Sequence, residues 1–249
     1  MSGHSKWHNI KEKKGVADAK RGKVFTRHAK LIAIVTREGG ADPDMNPGLR
    51  AAIINAKADN VPNANIEKAI KRGSGEDKEG MNFTETMYGG FGPCGTAILI
   101  QSITDNKNRA VSNIKTILSK NGGTNTESSS IAWMFQRKGQ ISAKISGKSD
   151  EDAGLMIIDS GAEDFEKNGD EFVVTTPDMT FMNVKEYLEK AGFSVIKAEL
   201  SYLPKNFVSV SDLRNAQKLL KIIDALEEDD DVSMVYTNGD FPDEIIAQI

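Results

Sequence analysis

The hydrophobic period changes near residue 80, and the element order after the change repeats a pattern that few folds accommodate. Residues 139–145 alternate as a strand, 150–160 follow a helical period, 162–166 and 170–176 read as strands, 179–191 as a helix and 194–200 as a strand. That order, β-α-β-β-α-β, is the ferredoxin-like motif. Around it lie further pieces of the same kind. "TAILIQSI" (Thr96 to Ile103) is a buried strand, "NKNRAVSNIKTILSKNGG" a helix capped by Asp105 or Asn106 and ended by Gly122, and "SIAWMF" (Ser130 to Phe135) a strand. A strand near Phe207 to Val210, a helix from Asp212 to Leu226 and a strand from Val232 to Thr237 complete a second set. One such domain is therefore expected to be inserted into the other.

Before residue 80 the period is helical throughout. Val24, His28, Leu31 and Val35, widened by Phe25 and Ile32, form the apolar stripe of a helix from Gly22 to Gly40. Lys20, Lys23, Arg27 and Lys30 fall within one arc of roughly 80° bordering that stripe. Gly22 costs a helix about 1 kcal/mol against Ala, which predicts a break there and a separate arm over residues 1–21. Asn46 caps a second helix with Pro47 at its first position and Leu49, Ala52, Ile53 and Ala56 on its buried side. Pro62 opens a third, which buries Ile66, Ala69 and Ile70 and ends at Gly73. "GSGEDKEG" (Gly73 to Gly80) reads as a linker. The expectation is an α+β multidomain chain: a helical basic domain with an N-terminal arm over 1–80, an α/β domain over 81–136 plus 201–249, and an inserted α/β domain over 137–200.

Charge is split along the same division. Residues 1–75 carry 15 Lys and Arg against 7 Asp and Glu, while the remainder carries 17 against 29, on a chain of net charge −4. Such asymmetry points to a polyanionic partner for the basic part. Lys6, Lys11, Lys13, Lys14, Lys20, Arg21, Lys23, Arg27 and Lys30 can neutralise phosphates, and Trp7, an aromatic in a polar arm, either docks on the protein's own surface or stacks on a base or partner. "EEDDD" (Glu227 to Asp231) reads as a solvated turn at a helix end. The single cysteine, Cys94, rules out an internal disulfide and fits a reducing compartment, and no apolar run approaches the roughly 20 residues of a membrane span. The N-terminus lacks the apolar stretch of a secretory signal, so a cytoplasmic protein without membrane contact is expected.

Other motifs carry less chemistry than they first suggest. "GFGPCG" (Gly90 to Gly95) matches G-x-G-x-x-G, but a strand follows it, whereas a dinucleotide site needs a helix to begin at the glycines. Thr96 also stands where a phosphate-binding lysine belongs in a P-loop, so the loop reads as a tight turn between strands. His4 and His8 are too few for a zinc site, and His28 lies on the apolar stripe as a structural histidine. Residues 29–249 contain no histidine, which leaves a Ser-His-acid mechanism without its base. The expectation is a protein without catalytic residues, metal or cofactor. Helices at 47–58 and 62–72 could form a helix-turn-helix, but Lys68, Lys71 and Arg72 crowd the end of the second rather than its start.

"GHSKWHNIK", "DAKRGKVFTRHAK", "REGGADPDMNPGLRAAIINAKADNVP", "NIEKAIKRGSGE", "YGGFGPCGTAILI", "TDNKNRAVSNIK", "SIAWMF" and "DDVSMVYTN" resemble the YebC/PmpR family over essentially the whole chain. The resemblance implies a helical domain and two α/β domains around a cleft. It further implies a DNA-binding transcriptional regulator of the bacterial cytoplasm using the basic arm and first helix. The family also includes a mitochondrial translational activator and bacterial relatives linked to ribosomes stalled at proline runs. The alternative it implies is thus a ribosome-associated translation factor binding ribosomal or transfer RNA. The family's polar turn maps onto Asp105, Asn106, Asn108 and Arg109, a second contact for nucleic acid. Glu12, His28 and Gly48 depart from the family pattern and interrupt a uniformly basic surface.

Overall fold

The computed structural model describes residues 18–76 and 83–248, with the side chains of 18–21 and 243 left aside. The first helix, α1 (Asp18–Gly39), runs straight through Gly22, where the sequence predicts a break. The local propensity cost is about 1 kcal/mol and is overridden by the packing of the turns that follow, where His28, Ile32, Ala33 and Thr36 are buried. α2 (Pro47–Ala58) begins as expected: Asn46 Oδ1 accepts from Leu49 N at 3.0 Å. The same side chain reaches back, its Nδ2 donating to Val35 O and Gly40 O at 2.8 Å each, so one residue closes α1 and opens α2. α3 (Asn63–Ser74) continues past Gly73 and is capped by Gly75 in the left-handed conformation. Gly73 serves close packing, since a Cβ there would lie 2.5 Å from Ala33 O.

The helices lead into two antiparallel sheet–helix domains, as expected. The chain divides into two compact units, and the division falls inside α1. One takes α1 as far as Arg27 together with the described parts of Met81–Gln136 and Leu203–Ile249; the other comprises His28–Gly80 and Arg137–Tyr202.

In the first unit, β1 (Thr84–Phe91), β2 (Ala97–Thr104), β3 (Thr124–Thr126) and, much later in the chain, β9 (Val232–Thr237) form a sheet of order β3-β1-β2-β9. α4 (Lys107–Lys120) and α8 (Leu213–Glu227) contribute Ile114, Leu118, Leu219, Ile222, Ile223 and Leu226 to a core with Ile98, Ile100 and Val235 of the sheet. Two expected strands behave differently. "SIAWMF" is not a strand: Ser128–Ala132 is a short helix, α5, and extended backbone begins only at Phe135. A six-residue apolar run does not separate helix from strand, and here Ile131 and Phe135 are buried while Ala132 and Trp133 between them are exposed. The segment near Phe207 supplies β8 (Val208–Ser209), which pairs in parallel with β10 (Gly239–Asp240) in a separate two-stranded sheet. The sheet position expected for it is taken by β1, which pairs with β2 along all eight residues. A hairpin partner a few residues away closes more readily than one returning from residue 207. A short helix, α9 (Asp243–Ile246), follows β10.

The inserted sheet contains β4 (Phe135–Lys144), β5 (Asp164–Asn168), β6 (Glu171–Pro177) and β7 (Ser194–Pro204) in the order β5-β6-β4-β7, the ferredoxin-like arrangement. α6 (Asp150–Asp159) and α7 (Phe181–Lys190) connect them, and Ala153, Ile157, Val184 and Leu188 meet Ile141, Phe172, Val174 and Ala198 in its core. β7 lies at the sheet edge, where Asn55 of α2 takes the place of a neighbouring strand. Its Nδ2 donates to Ala198 O at 2.7 Å and its Oδ1 accepts from Ala198 N at 2.9 Å.

Candidate nucleic-acid interface

Of the ten candidates around the first helix, Lys6, Trp7, Lys11, Lys13 and Lys14 lie outside the described residues. Lys20 and Arg21 fall within α1, and Lys23, Arg27 and Lys30 are described in full. Spacing along the helix puts Lys23 and Arg27 one turn apart on one side. Both turn to their own unit. Lys23 Nζ donates to the Glu228 carbonyl and stands 3.9 Å from Asp230 Oδ1. The Arg27 guanidinium donates to Met234 Sδ of β9 at 3.4 Å. Lys30, the next in the series, is half-buried. His28 is buried as expected, its Nε2 2.6 Å from Asp59 Oδ2.

The polar turn before α4 converges on the same acidic stretch. Asn106 is the N-cap, its Oδ1 accepting from Arg109 N at 3.1 Å. Arg109 is held as a fork: Nε donates to Asp231 Oδ2 and Nη2 to Asp231 Oδ1, both at 2.7 Å, and Nη2 also to Asp105 Oδ1 at 2.8 Å. Asp231, and secondarily Asp105, raise the guanidinium's proton affinity above its already high ordinary range. Asn108 is exposed on the first turn of α4. The structure therefore brings Asn106 and Arg109 together as a capped, acid-clamped turn, and leaves Asn106, Asn108 and Arg109 all exposed.

The Glu227 to Asp231 run is where sequence reading misses most. Asp231 is only 2% exposed, which corrects the expectation of a solvated turn. Besides Arg109 its carboxylate accepts from Thr104 Oγ1 at 2.8 Å, and its carbonyl accepts from Ser102 Oγ at 2.6 Å and Ile103 N at 3.0 Å. Asp229 accepts from Asn113 Nδ2 and from Asp231 N, each at 2.9 Å. A buried carboxylate is retained when donors compensate its lost hydration, and this one accepts from Thr104 and twice from Arg109 beside the β2–β9 bulge at Gln101/Ser102. A run of like charges in sequence gives no sign of which member folds inward.

The glycine loop behaves as a turn. Gly92 N donates to Thr96 O at 2.8 Å across a 3-10 turn, Pro93–Gly95, and β2 follows directly. A Cβ at Gly92 would stand 2.9 Å from Leu219 Cδ1, so close helix packing accounts for that glycine. Among the described residues, no group of three His, Cys, Asp or Glu side chains is placed to hold a metal. No helix among them is long and apolar enough to cross a membrane.

Comparison with known proteins fits this architecture. The profile of the TACO1/YebC protein N-terminal domain matches residues 5–76, and that of the TACO1/YebC second and third domain matches residues 83–239. The chain belongs to the TACO1/YebC family. A family member from Clostridium acetobutylicum is 49% identical over 242 residues, covering 97% of this chain and 98% of the relative. Another from Halothermothrix orenii is 45% identical over 251 residues, covering 100% and 99%. Both relatives bear the name "probable transcriptional regulatory protein". The crystal structure of a conserved hypothetical protein from Aquifex aeolicus superposes with a TM-score of 0.83 at 40% identity, over 92% of this chain and 93% of that one. The helical region followed by two sheet–helix domains is thus shared with a solved structure.

Proposed function

We propose that this chain is a non-enzymatic, cytoplasmic regulator of transcription that binds duplex DNA through its N-terminal segment and α1, with Lys6, Trp7, Lys11, Lys13, Lys14, Lys20, Arg21, Lys23, Arg27 and Lys30 as the contact set. The observation that carries the reading is the segregation of charge: 15 cations against 7 acids over residues 1–75, on a chain that is acidic overall. A polyanion meets that segment attractively and the remainder repulsively, which orients the encounter. The names of the relatives support the transcriptional use. The non-enzymatic reading is supported by the sequestration of His28 against Asp59 and by the lack of histidine after it.

The test is direct binding to labelled duplex DNA across a salt series. Neutralising about 6 phosphates predicts roughly a thousandfold loss of affinity between about 50 and 200 mM salt. Simultaneous charge reversal at Lys13, Lys14, Arg21 and Lys23 is expected to abolish binding; unchanged affinity would overturn the reading. Competition by purified ribosomes separates the two nucleic-acid uses. Displacement from DNA by ribosomes far below the concentration of competing DNA required would replace the transcriptional role with a translational one.

A further inference from the structure

α6 buries Ala153, Gly154 and Ile157, yet its sequence places further large apolar residues on the opposite side. Leu155 is 61% exposed and Ile158 59%. At 100° per residue they share an arc of about 60° with Glu151, and the exposed Asp152 and Asp159 border it. A helix side that faces water is ordinarily polar, and two large apolar residues one turn apart form a patch rather than a scattered exposure. Helix stability alone does not account for the acids. Ser149 caps α6 by accepting from Asp152 N at 3.1 Å, and acids in that first turn suit the positive end of the helix dipole. Asp159 stands in the last turn, where the dipole disfavours an anion and no basic residue accompanies it. The acidity is regional: residues 150–171 hold nine Asp and Glu against one cation, Lys167, which is itself paired with Asp150.

We infer that this side of α6 docks a cationic amphipathic helix of a partner protein, with Leu155 and Ile158 as its anchors and the acids as its rim. Apolar residues three apart on a convex helix pack against the apolar stripe of a second helix, and an apolar centre with a polar border is the anatomy of a protein interface. Charge selects among the occupants. A second copy meeting this side about a two-fold axis would set Glu151, Asp152 and Asp159 against the same three acids. A nucleic acid or an anionic membrane surface carries the wrong sign as well. Lysines or arginines flanking an apolar stripe neutralise the rim while the stripe covers the anchors. The inference does not depend on the nucleic-acid reading above, since it concerns a different unit from the one that holds Lys23 and Arg27.

The experiment uses the full chain. The probe is a fluorescein-labelled helical peptide of leucine and lysine, with leucines at i, i+3, i+4 and i+7, and its control carries glutamate in place of every lysine. Anisotropy is expected to show saturable binding of the lysine peptide, weakening as salt is added, and none of the control. Leu155→Ser combined with Ile158→Ser is expected to weaken binding about tenfold or more, with the melting temperature and the affinity for duplex DNA unchanged. Glu151→Lys combined with Asp159→Lys is expected to invert the preference, so that the glutamate peptide binds better than the lysine peptide. Equal binding of the lysine peptide by the natural chain and both variants would mean that acidity elsewhere holds it, and no saturable binding would leave this side of α6 without the inferred occupant; either result overturns the inference. A concentration-dependent dimer that the Leu155→Ser, Ile158→Ser variant abolishes would assign the surface to a second copy. Cosedimentation with phosphatidylcholine vesicles, lost in the same variant, would assign it to lipid, and in both cases the inference falls.

Discussion

Asn55 is 6% exposed, and its amide gives both a donor and an acceptor to the backbone of Ala198. An edge strand invites pairing with another chain, and a side-chain amide that imitates the missing strand withholds one rung. Replacing Asn55 with Ala leaves a buried N–H and C=O without partners, and is expected to destabilise the protein by about 2–4 kcal/mol in urea unfolding. Tyr88 gives a pH signature at the same scale. Burial raises its phenol above the ordinary value of 10.0. A raised folded pKa means that its contribution is complete below about pH 10 and is lost as pH rises through the folded value. The Tyr88→Phe variant should therefore show a shallower alkaline loss of stability than the natural chain when unfolding is followed from neutral to strongly alkaline pH. Neither residue is conspicuous in sequence. The apolar side of α2 was readable from its period as Leu49, Ala52, Ile53 and Ala56, but a polar residue among them gives no hint that it faces a strand about 140 positions later. His28 was readable for the opposite reason, since its place on the apolar stripe demanded burial.

Elements follow the sequence wherever one period dominates, as in α4, α8 and the strands of the inserted sheet. They depart from it where a short apolar run carries no period, as at Ser128–Phe135, or where two strands compete for one sheet position, as β1 and β8 do. The turn between α8 and β9 shows why charge patterning alone misleads. Asp230 and Asp231 are adjacent and chemically identical, yet one is exposed and the other joins β2, the cap of α4 and Arg109 in one hydrogen-bonded set. Asp231→Ala is expected to lower the thermal midpoint well beyond Asp230→Ala, which should change it little; scanning calorimetry on the two variants checks this. Equal effects would mean that the clamp is dispensable. The candidate interface was legible as composition, while its engagement with residues 228–234 depends on chain approach over more than 200 positions.

At the scale of the molecule, the inserted sheet draws its strands from the contiguous stretch Phe135 to Pro204, whereas the first sheet pairs Ile98 with Thr237. Loop closure over so long a separation is entropically slower than closure within the insert. Pulsed hydrogen exchange during refolding should therefore protect the amides around Ile141 and Val174 before those of Ile100 and Val235. Simultaneous protection would mean that the two sheets fold as one step.

The placement of β9 also bears on how the chain is made. A nascent chain emerges from its N-terminal end, so β1, β2 and α4 leave the ribosome long before α8 and β9 exist to cover them. Ile98, Ile100, Ile114 and Leu118, all fully buried at the end, must wait through the synthesis of an entire intervening domain. At the ordinary pace of translation, about 5–20 residues per second, that wait lasts several seconds or more. During it the unfinished sheet offers β2, the most apolar strand of the fold, as an open edge, which makes the interval before β9 arrives the time of greatest exposure to aggregation and greatest need for a chaperone.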